Sequence, residues 1–380
     1  MRQPLLLALF ATLLLPLRPA VAELHVVACE PEWAALATAL GGGDITVFSA
    51  ATGRRSPHQP PPGRHLATAL GQADLLVCTG AGLESEWLPS LLGQVKNPRI
   101  QEGRPGHFAA ADHVELRGGA KPRGAHRGGN PHIQLDPHNI VRIADALTDR
   151  FIALDPQEAG DYRFRHTAFI ARWQVAMERW EAEAQGLRGI PWVVHDTSWL
   201  YLEHWLGLVR VATLEPEPGV APTPARLAEL LDGLKKRPAK LVVRAPHDDP
   251  QPAAWLAQQA AIPVVVLPLT IGSTPAARDL FTLFDDILDR LLATRPRRLS
   301  WPRCPPGSPP ARPPHAIASP ARHNRRLIRR GKTTKTTKDT KGSRFVTFPP
   351  FVVDGLAGNS RQRPCIPGSQ GLHRPPAPST

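Results

Sequence analysis

Short apolar runs alternate with amphipathic stretches along residues 24–118. Strand-like runs occupy 24–28, 45–48 and 74–77, and helical periods cover 32–40 and 65–70. Four- or five-residue apolar runs separated by such stretches predict parallel strands connected by helices, because a strand buried on both faces loses its two-residue polar alternation. The rhythm returns after residue 190, with strands predicted at 192–194, 209–212, 241–243 and 264–267 and helices over 198–206, 223–236, 252–260 and 276–293. Between these halves, Leu135-Asp136-Pro137 and Leu154-Asp155-Pro156 each open a helix, with Asp as the capping residue and Pro in the first helical position. The second helix continues to about Leu187 without another proline and is roughly 45 Å long at the usual rise per residue. The fold class expected is therefore α/β: two βα lobes with parallel sheets, joined by one long helix, with a ligand site in the cleft between the lobes. The expected boundaries are 23–153 for the first lobe with a crossover segment, 154–188 for the linking helix and 189–294 for the second lobe.

Both ends break this pattern. Residues 1–22 combine Arg2, an apolar run over 5–15 and the ending Ala20-Val21-Ala22, which predicts a cleaved export signal rather than a membrane span. From Arg295 onward the chain holds 16 of its 43 prolines and the repeat Lys332-Thr-Thr-Lys335-Thr-Thr-Lys338. Such composition buries too little apolar surface to offset ordering entropy, and disorder is expected there. This tail changes the meaning of the net charge. It carries 18 Lys+Arg against 2 Asp+Glu, a local +16, which leaves −3 for residues 1–294 out of the total of +13. The body is mildly acidic, so the overall basicity does not make it a nucleic-acid binder, and no nucleic acid is expected as a partner of an exported protein. An adhesive role for the tail is a weaker alternative that rests on composition alone.

Of the four cysteines, Cys29 and Cys78 each follow a strand-like run. They form a disulfide if those strands are neighbours in the sheet, and are two buried thiols otherwise. Three histidines stand in loops that a βα architecture places at the ligand-binding edge: His58 in Ser56-Pro57-His58, His132 in Asn130-Pro131-His132, and His195 directly after Trp192-Val193-Val194. In open α/β sheets ligands bind beyond the C-terminal ends of the strands. Neutral imidazole suits Zn²⁺, although each of these residues taken singly is more often a solvated loop residue, and the loops alone do not make a metal site.

The order of several short stretches sharpens this reading: Ser56-Pro57-His58, ADLLVCTGAGLESEW over 73–87, NPHIQLDPHN over 130–139, VVHDTSW over 193–199, LEPEPGVAPTPARLAEL over 214–230 and LPLTIG over 267–272. Together they resemble the periplasmic zinc- and manganese-binding proteins that serve ABC importers, the cluster with a rigid interlobe helix. The resemblance covers residues 24–293. It implies that His58, His132 and His195 are metal ligands, that Zn²⁺ is the transported ligand rather than a catalytic cofactor, and that a membrane permease is the partner of a monomeric periplasmic protein. Where the family pattern places an Asp after the last strand, this chain has Leu267. Asp279 is the expected substitute, with His247, Asp248 and Asp249, or water, as alternatives. Three imidazoles without a second carboxylate favour Zn²⁺ over Mn²⁺, which prefers oxygen-rich shells. Mn²⁺ or Fe²⁺ as cargo is the alternative of the same kind. A secreted zinc hydrolase is a further one, but the chain has no His-Glu-x-x-His base motif. The loop with His107, His113 and His126 resembles a poor version of the His-rich loop of zinc members. Glu84 or Glu86 either orients a ligand histidine or caps a helix, and Trp199 and Trp205 are expected in the core.

Overall fold

The computed structural model describes residues 23–59, 64–118 and 128–294. The expected export signal, the basic tail and His126 lie outside those residues. The first lobe contains β1 (Leu24–Ala28), α1 (Pro31–Gly41), β2 (Ile45–Ser49), α2 (Arg64–Gln72), β3 (Leu75–Cys78), α3 (Leu88–Val95) and β4 (His107–Ala109). Its strands pair in parallel in the order β2-β1-β3-β4. Two helices follow, α4 (Pro137–Leu154) and α5 (Ala159–Ala184). The second lobe contains β5 (Pro191–Val194), α6 (Leu200–Leu206), β6 (Val209–Thr213), α7 (Pro224–Lys236), β7 (Leu241–Arg244), α8 (Pro250–Ala260), β8 (Val264–Val266) and α9 (Leu280–Ala293). Its parallel order, β6-β5-β7-β8, matches that of the first sheet position for position.

Period-two geometry decides which core each strand residue enters. In β1, Val26 and Ala28 face the large central core while Val27 and the following Cys29 face a smaller cluster with Leu66, Leu70 and Trp87. The second sheet divides in the same way. Trp192 and Val194 point to the central core, and Val193 packs with Leu227, Leu230 and Leu256 on the outside. Both sheets are thus covered on both faces, which accounts for the near-continuous apolar runs in the sequence.

The linking helix runs for 26 residues between 3-10 turns at Pro156–Glu158 and Gln185–Leu187, so the long helical segment expected over 156–187 is present with tightened ends. It packs on α1 and α4 of the first half and on α9 of the second. Trp173 and Trp180 are fully buried, with ring centroids 5.6 Å and 4.9 Å from that of Phe284 on α9. Arg165 of the same helix donates to the carbonyl of Leu40 at 2.8 Å and pairs with Asp44 at 2.5 Å. Trp199 is buried and Trp205 packs against Phe284, so both belong to the core.

Three local features bear on the sequence reading. The β1/β3 register sets Ala28 opposite Val77, so Cys29 and Cys78 come next to each other, with Cα atoms 4.8 Å apart, and are joined as a disulfide. Asp136 caps α4 by accepting from the His138 N–H at 3.0 Å. Asp155 does not cap its turn; its carboxylate accepts from the Tyr162 hydroxyl at 3.1 Å instead. Among the described residues no helix is long and apolar enough to cross a membrane.

Candidate metal centre

His58 lies in the turn after β2, half-buried. That turn rests on the second lobe: a Cβ added at Gly53 would sit 2.1 Å from the carbonyl oxygen of Ile271 and 2.4 Å from the Ser273 nitrogen. Only a residue without a side chain lets the two backbones approach this closely. The imidazole of His58 meets that of His132 edge to face, with centroids 5.5 Å apart and planes at 77°.

His132 is buried and opens the 3-10 turn Ile133–Leu135. Its N–H donates to Asn130 Oδ1 at 2.9 Å, a turn closed by the side chain two residues back. Asn130 also ties the turn to the loop after β5, donating from Nδ2 to the Thr197 carbonyl at 2.8 Å and accepting from the Tyr201 hydroxyl at 3.1 Å. His132 Nε2 lies 3.1 Å from Ser198 Oγ, three residues beyond His195.

His195 extends β5 by one rung, its N–H donating to the Val243 carbonyl at 2.8 Å. The ring is buried, and Nε2 is 3.3 Å from Glu215 Oε1. Burial pulls the imidazole pKa down, but the Glu215 hydrogen bond and the charges of Asp248, Glu215 and Asp196 outweigh it and raise the pKa above its ordinary 6.5. The structure therefore brings His58 to His132, and His132 to the loop that carries His195. His58 and His195 stand beyond the C-terminal ends of β2 and β5, and His132 in the segment between the two sheets, the edge at which open α/β sheets bind ligands.

Asp279 is the expected fourth ligand. Asp279 is exposed and serves as the N-cap of α9 in a capping box, its Oδ1 accepting from the Thr282 N–H at 2.7 Å and from the Thr282 hydroxyl at 2.8 Å. A carboxylate so placed completes the unsatisfied first turn of a helix. Glu84 takes the second of its two expected roles, holding backbone N–H groups, although of a turn rather than of a helix. It is buried and accepts from the N–H groups of Thr79 at 2.7 Å and Gly80 at 3.1 Å, so it holds the turn after β3; Glu86 is exposed. Of the loop histidines, His107 belongs to β4, with Nδ1 3.0 Å from the Ile100 carbonyl, and His113 stacks on Phe108 at 4.7 Å.

One feature of the cleft had no sequence signal beyond the Glu30-Pro31-Glu32 triplet at the end of β1. Glu30, Glu32 and Glu84 are all buried, and Glu30 and Glu32 line a small cavity with His132, Gln134 and Thr270. The Thr270 hydroxyl donates to Glu32 across the lobes, and Gln134 Nε2 donates to the Leu269 carbonyl at 3.2 Å. Burial raises the pKa of Glu32 from 4.5 to about 7, and burial together with the neighbouring Glu84 charge raises that of Glu30.

Residues 26–293 match the family model described as zinc-uptake complex component A, periplasmic. The chain belongs to this family. Among curated relatives of the zinc-uptake component, the zinc-binding lipoprotein AdcA of Streptococcus pneumoniae is 25% identical over 253 residues, covering 63% of this chain and 49% of that protein. The chain thus spans about half the length of the AdcA proteins it matches. The manganese ABC transporter substrate-binding lipoprotein PsaA of the same species is 24% identical over 253 residues, covering 64% of this chain and 78% of that one. A crystal structure of ZnuA superposes with a TM-score of 0.60 at 20% identity, covering 72% of this chain and 99% of the ZnuA chain. Its agreement supports the two-lobe architecture joined by α5. Leu267, where the family resemblance leads one to expect an Asp, is fully buried in the central core.

Proposed function

We propose that this chain is the extracytoplasmic solute-binding protein of a metal ABC importer, capturing Zn²⁺ between its lobes and delivering it to a membrane permease. His58 and His132 from the first half and His195 from the second are the ligands. The observation that carries the reading is the contact of His132 Nε2 with Ser198 Oγ, 3.1 Å, which joins the His58–His132 pair to the His195 loop. Similarity to AdcA, named for zinc binding, supports the same cargo, while similarity to PsaA keeps manganese as the competing cargo. An imidazole-rich shell favours zinc. The protein works as a monomer in the periplasm, exported by residues 1–22.

Metal analysis of the purified full-length protein after equilibrium dialysis tests this. The expected result is one Zn²⁺ per chain, lost in His58→Ala, His132→Ala and His195→Ala, with Mn²⁺ failing to displace it at equal concentration. Retention of stoichiometric zinc by any two of the three variants would overturn the ligand assignment, and displacement by Mn²⁺ would change the cargo.

A further inference from the structure

A cavity of about 470 Å³ opens between the segment before α4, the first turns of α4, the end of α5 and α6. Its volume lies within the range of small-molecule sites, roughly 300–1,000 Å³. None of the three histidines assigned to the metal lines it. Three guanidinium groups do, each brought by a different segment. Arg142 stands one turn after His138 on α4, and its charge is felt by that ring. Arg188 follows α5, and its guanidinium lies over the end of α6: a Cβ added at Gly207 would sit 3.0 Å from its Nη1. Arg117 is held near α6 by its backbone N–H, which donates to the Tyr201 hydroxyl at 3.0 Å.

Two of the acids around this cavity are already engaged. Asp136 Oδ1 accepts from the His138 N–H and lies 3.0 Å from Nδ1 of the same residue, while Glu181 Oε1 lies 3.3 Å from its Nε2. The Asp136 hydrogen bond above all, with the Asp136 and Glu181 charges, raises the His138 pKa above its ordinary 6.5, so the ring offsets part of their charge. Glu115 is the remaining lining acid, and it is exposed. By contrast, among the described residues no ion pair or hydrogen bond engages the guanidinium groups of Arg117, Arg142 and Arg188. The indole N–H of Trp205, whose ring forms part of the wall, is buried without an acceptor. The unmet demand is therefore for acceptors. Single exposed arginines are ordinary, but three around one concavity present forks that match carboxylate and phosphate oxygens bidentately.

We propose that this cavity binds a small oxyanion carrying two or more negative charges, a polycarboxylate or a phosphate, held by Arg117, Arg142 and Arg188 against the Trp205 wall. The site shares no residue with the proposed metal ligands, so it goes beyond the zinc-binding reading and does not depend on it.

The test is isothermal titration of the full-length, metal-free protein with propane-1,2,3-tricarboxylate and, separately, with inorganic phosphate. The expected result is one site per chain for at least one of these probes, and the probe that binds tells carboxylate from phosphate. Loss of one guanidinium removes charge-assisted hydrogen bonds, so Arg142→Gln and Arg188→Gln should each weaken binding by about tenfold or more. Both side chains are exposed, and the two variants should keep the wild-type melting temperature and zinc stoichiometry. Trp205→Phe, which keeps an aromatic ring against Phe284, should still bind the probe but lose the change in tryptophan emission that the probe causes in the wild type. Absence of binding by both probes would overturn the inference while leaving the zinc-binding function standing. So would binding that Arg142→Gln and Arg188→Gln leave unchanged, as attraction to the basic residues after 294 would give.

Discussion

At the scale of single residues, the cleft combines groups that need opposite conditions. The imidazoles must be neutral to bind metal, whereas Glu30, Glu32 and Glu84 are buried acids whose pKa values are all raised, first of all by burial. An acid whose pKa is higher folded than unfolded adds stability while it is protonated in both states, and that contribution is lost as pH rises through the folded value. For Glu32 the window runs from its ordinary 4.5 to about 7. Denaturant unfolding of metal-free protein should therefore show stability falling across that window, and Glu32→Gln should remove a part of the fall on the order of 3 kcal/mol. Parallel curves for the two proteins would refute this. A second residue-scale prediction concerns Gly53. The atoms its added Cβ would strike belong to the backbone of the Ile271–Ser273 loop and cannot rotate away. Gly53→Ala should cost about 1–3 kcal/mol of stability. It should also weaken zinc binding, because the displaced turn carries His58, and isothermal titration reads the change.

At the scale of elements, the strands and helices of both lobes followed from apolar periodicity, and the exceptions have physical causes. β4 escaped because three residues with one buried side chain, Phe108, make no pattern. α3 escaped because its Leu88-Pro89 start follows directly on a turn and only Leu88 and Leu92 are buried. α9 begins at Leu280 rather than at 276 because Asp279 and Thr282 cap it there. The site was read less completely. Histidines after strands are visible in a sequence, but the partners that set their chemistry, Ser198 for His132 and Glu215 for His195, come from other loops and depend on register. The capping box between Asp279 and Thr282 was likewise hidden, because it depends on where α9 begins. The disulfide was open until strand order was known, since only adjacency of β1 and β3 brings Cys29 to Cys78. It closes a loop with a sequence separation of 49. Replacing both cysteines by serine should lower stability by roughly 2–5 kcal/mol, measured by thermal unfolding, with zinc stoichiometry unchanged because the proposed ligands are imidazoles on other loops. An unchanged melting temperature would show that the bond adds nothing to the packing of the first sheet.

At the scale of the whole molecule, the proposed function raises the question of how a metal ion would enter and leave. A protein of two lobes on a flexible linker opens by hinge rotation, but here the connection is α5, whose aromatic residues are locked on both sides. Trp173 and Trp180 pack into Phe281 and Phe284 of α9, while Arg165 is bonded to Leu40 and Asp44 of the first lobe. Further bonds cross the cleft itself: Thr270 to Glu32, Gln134 to Leu269, Asn130 to Thr197 and the Arg117 N–H to the Tyr201 hydroxyl. A large rotation would break these bonds and expose buried tryptophan, and a single zinc ion does not need so much space. Motion is cheaper in the loops that carry His58, His132 and His195, whose backbones are held by a few hydrogen bonds each. Crystal structures of zinc-loaded and zinc-stripped protein should therefore superpose over both lobes within about 1 Å, as pre-organised binding partners do, with larger shifts confined to those loops. A rigid-body rotation of one lobe against the other on metal loss would mean that α5 bends, and release would then be a hinge motion rather than a local opening of the metal shell.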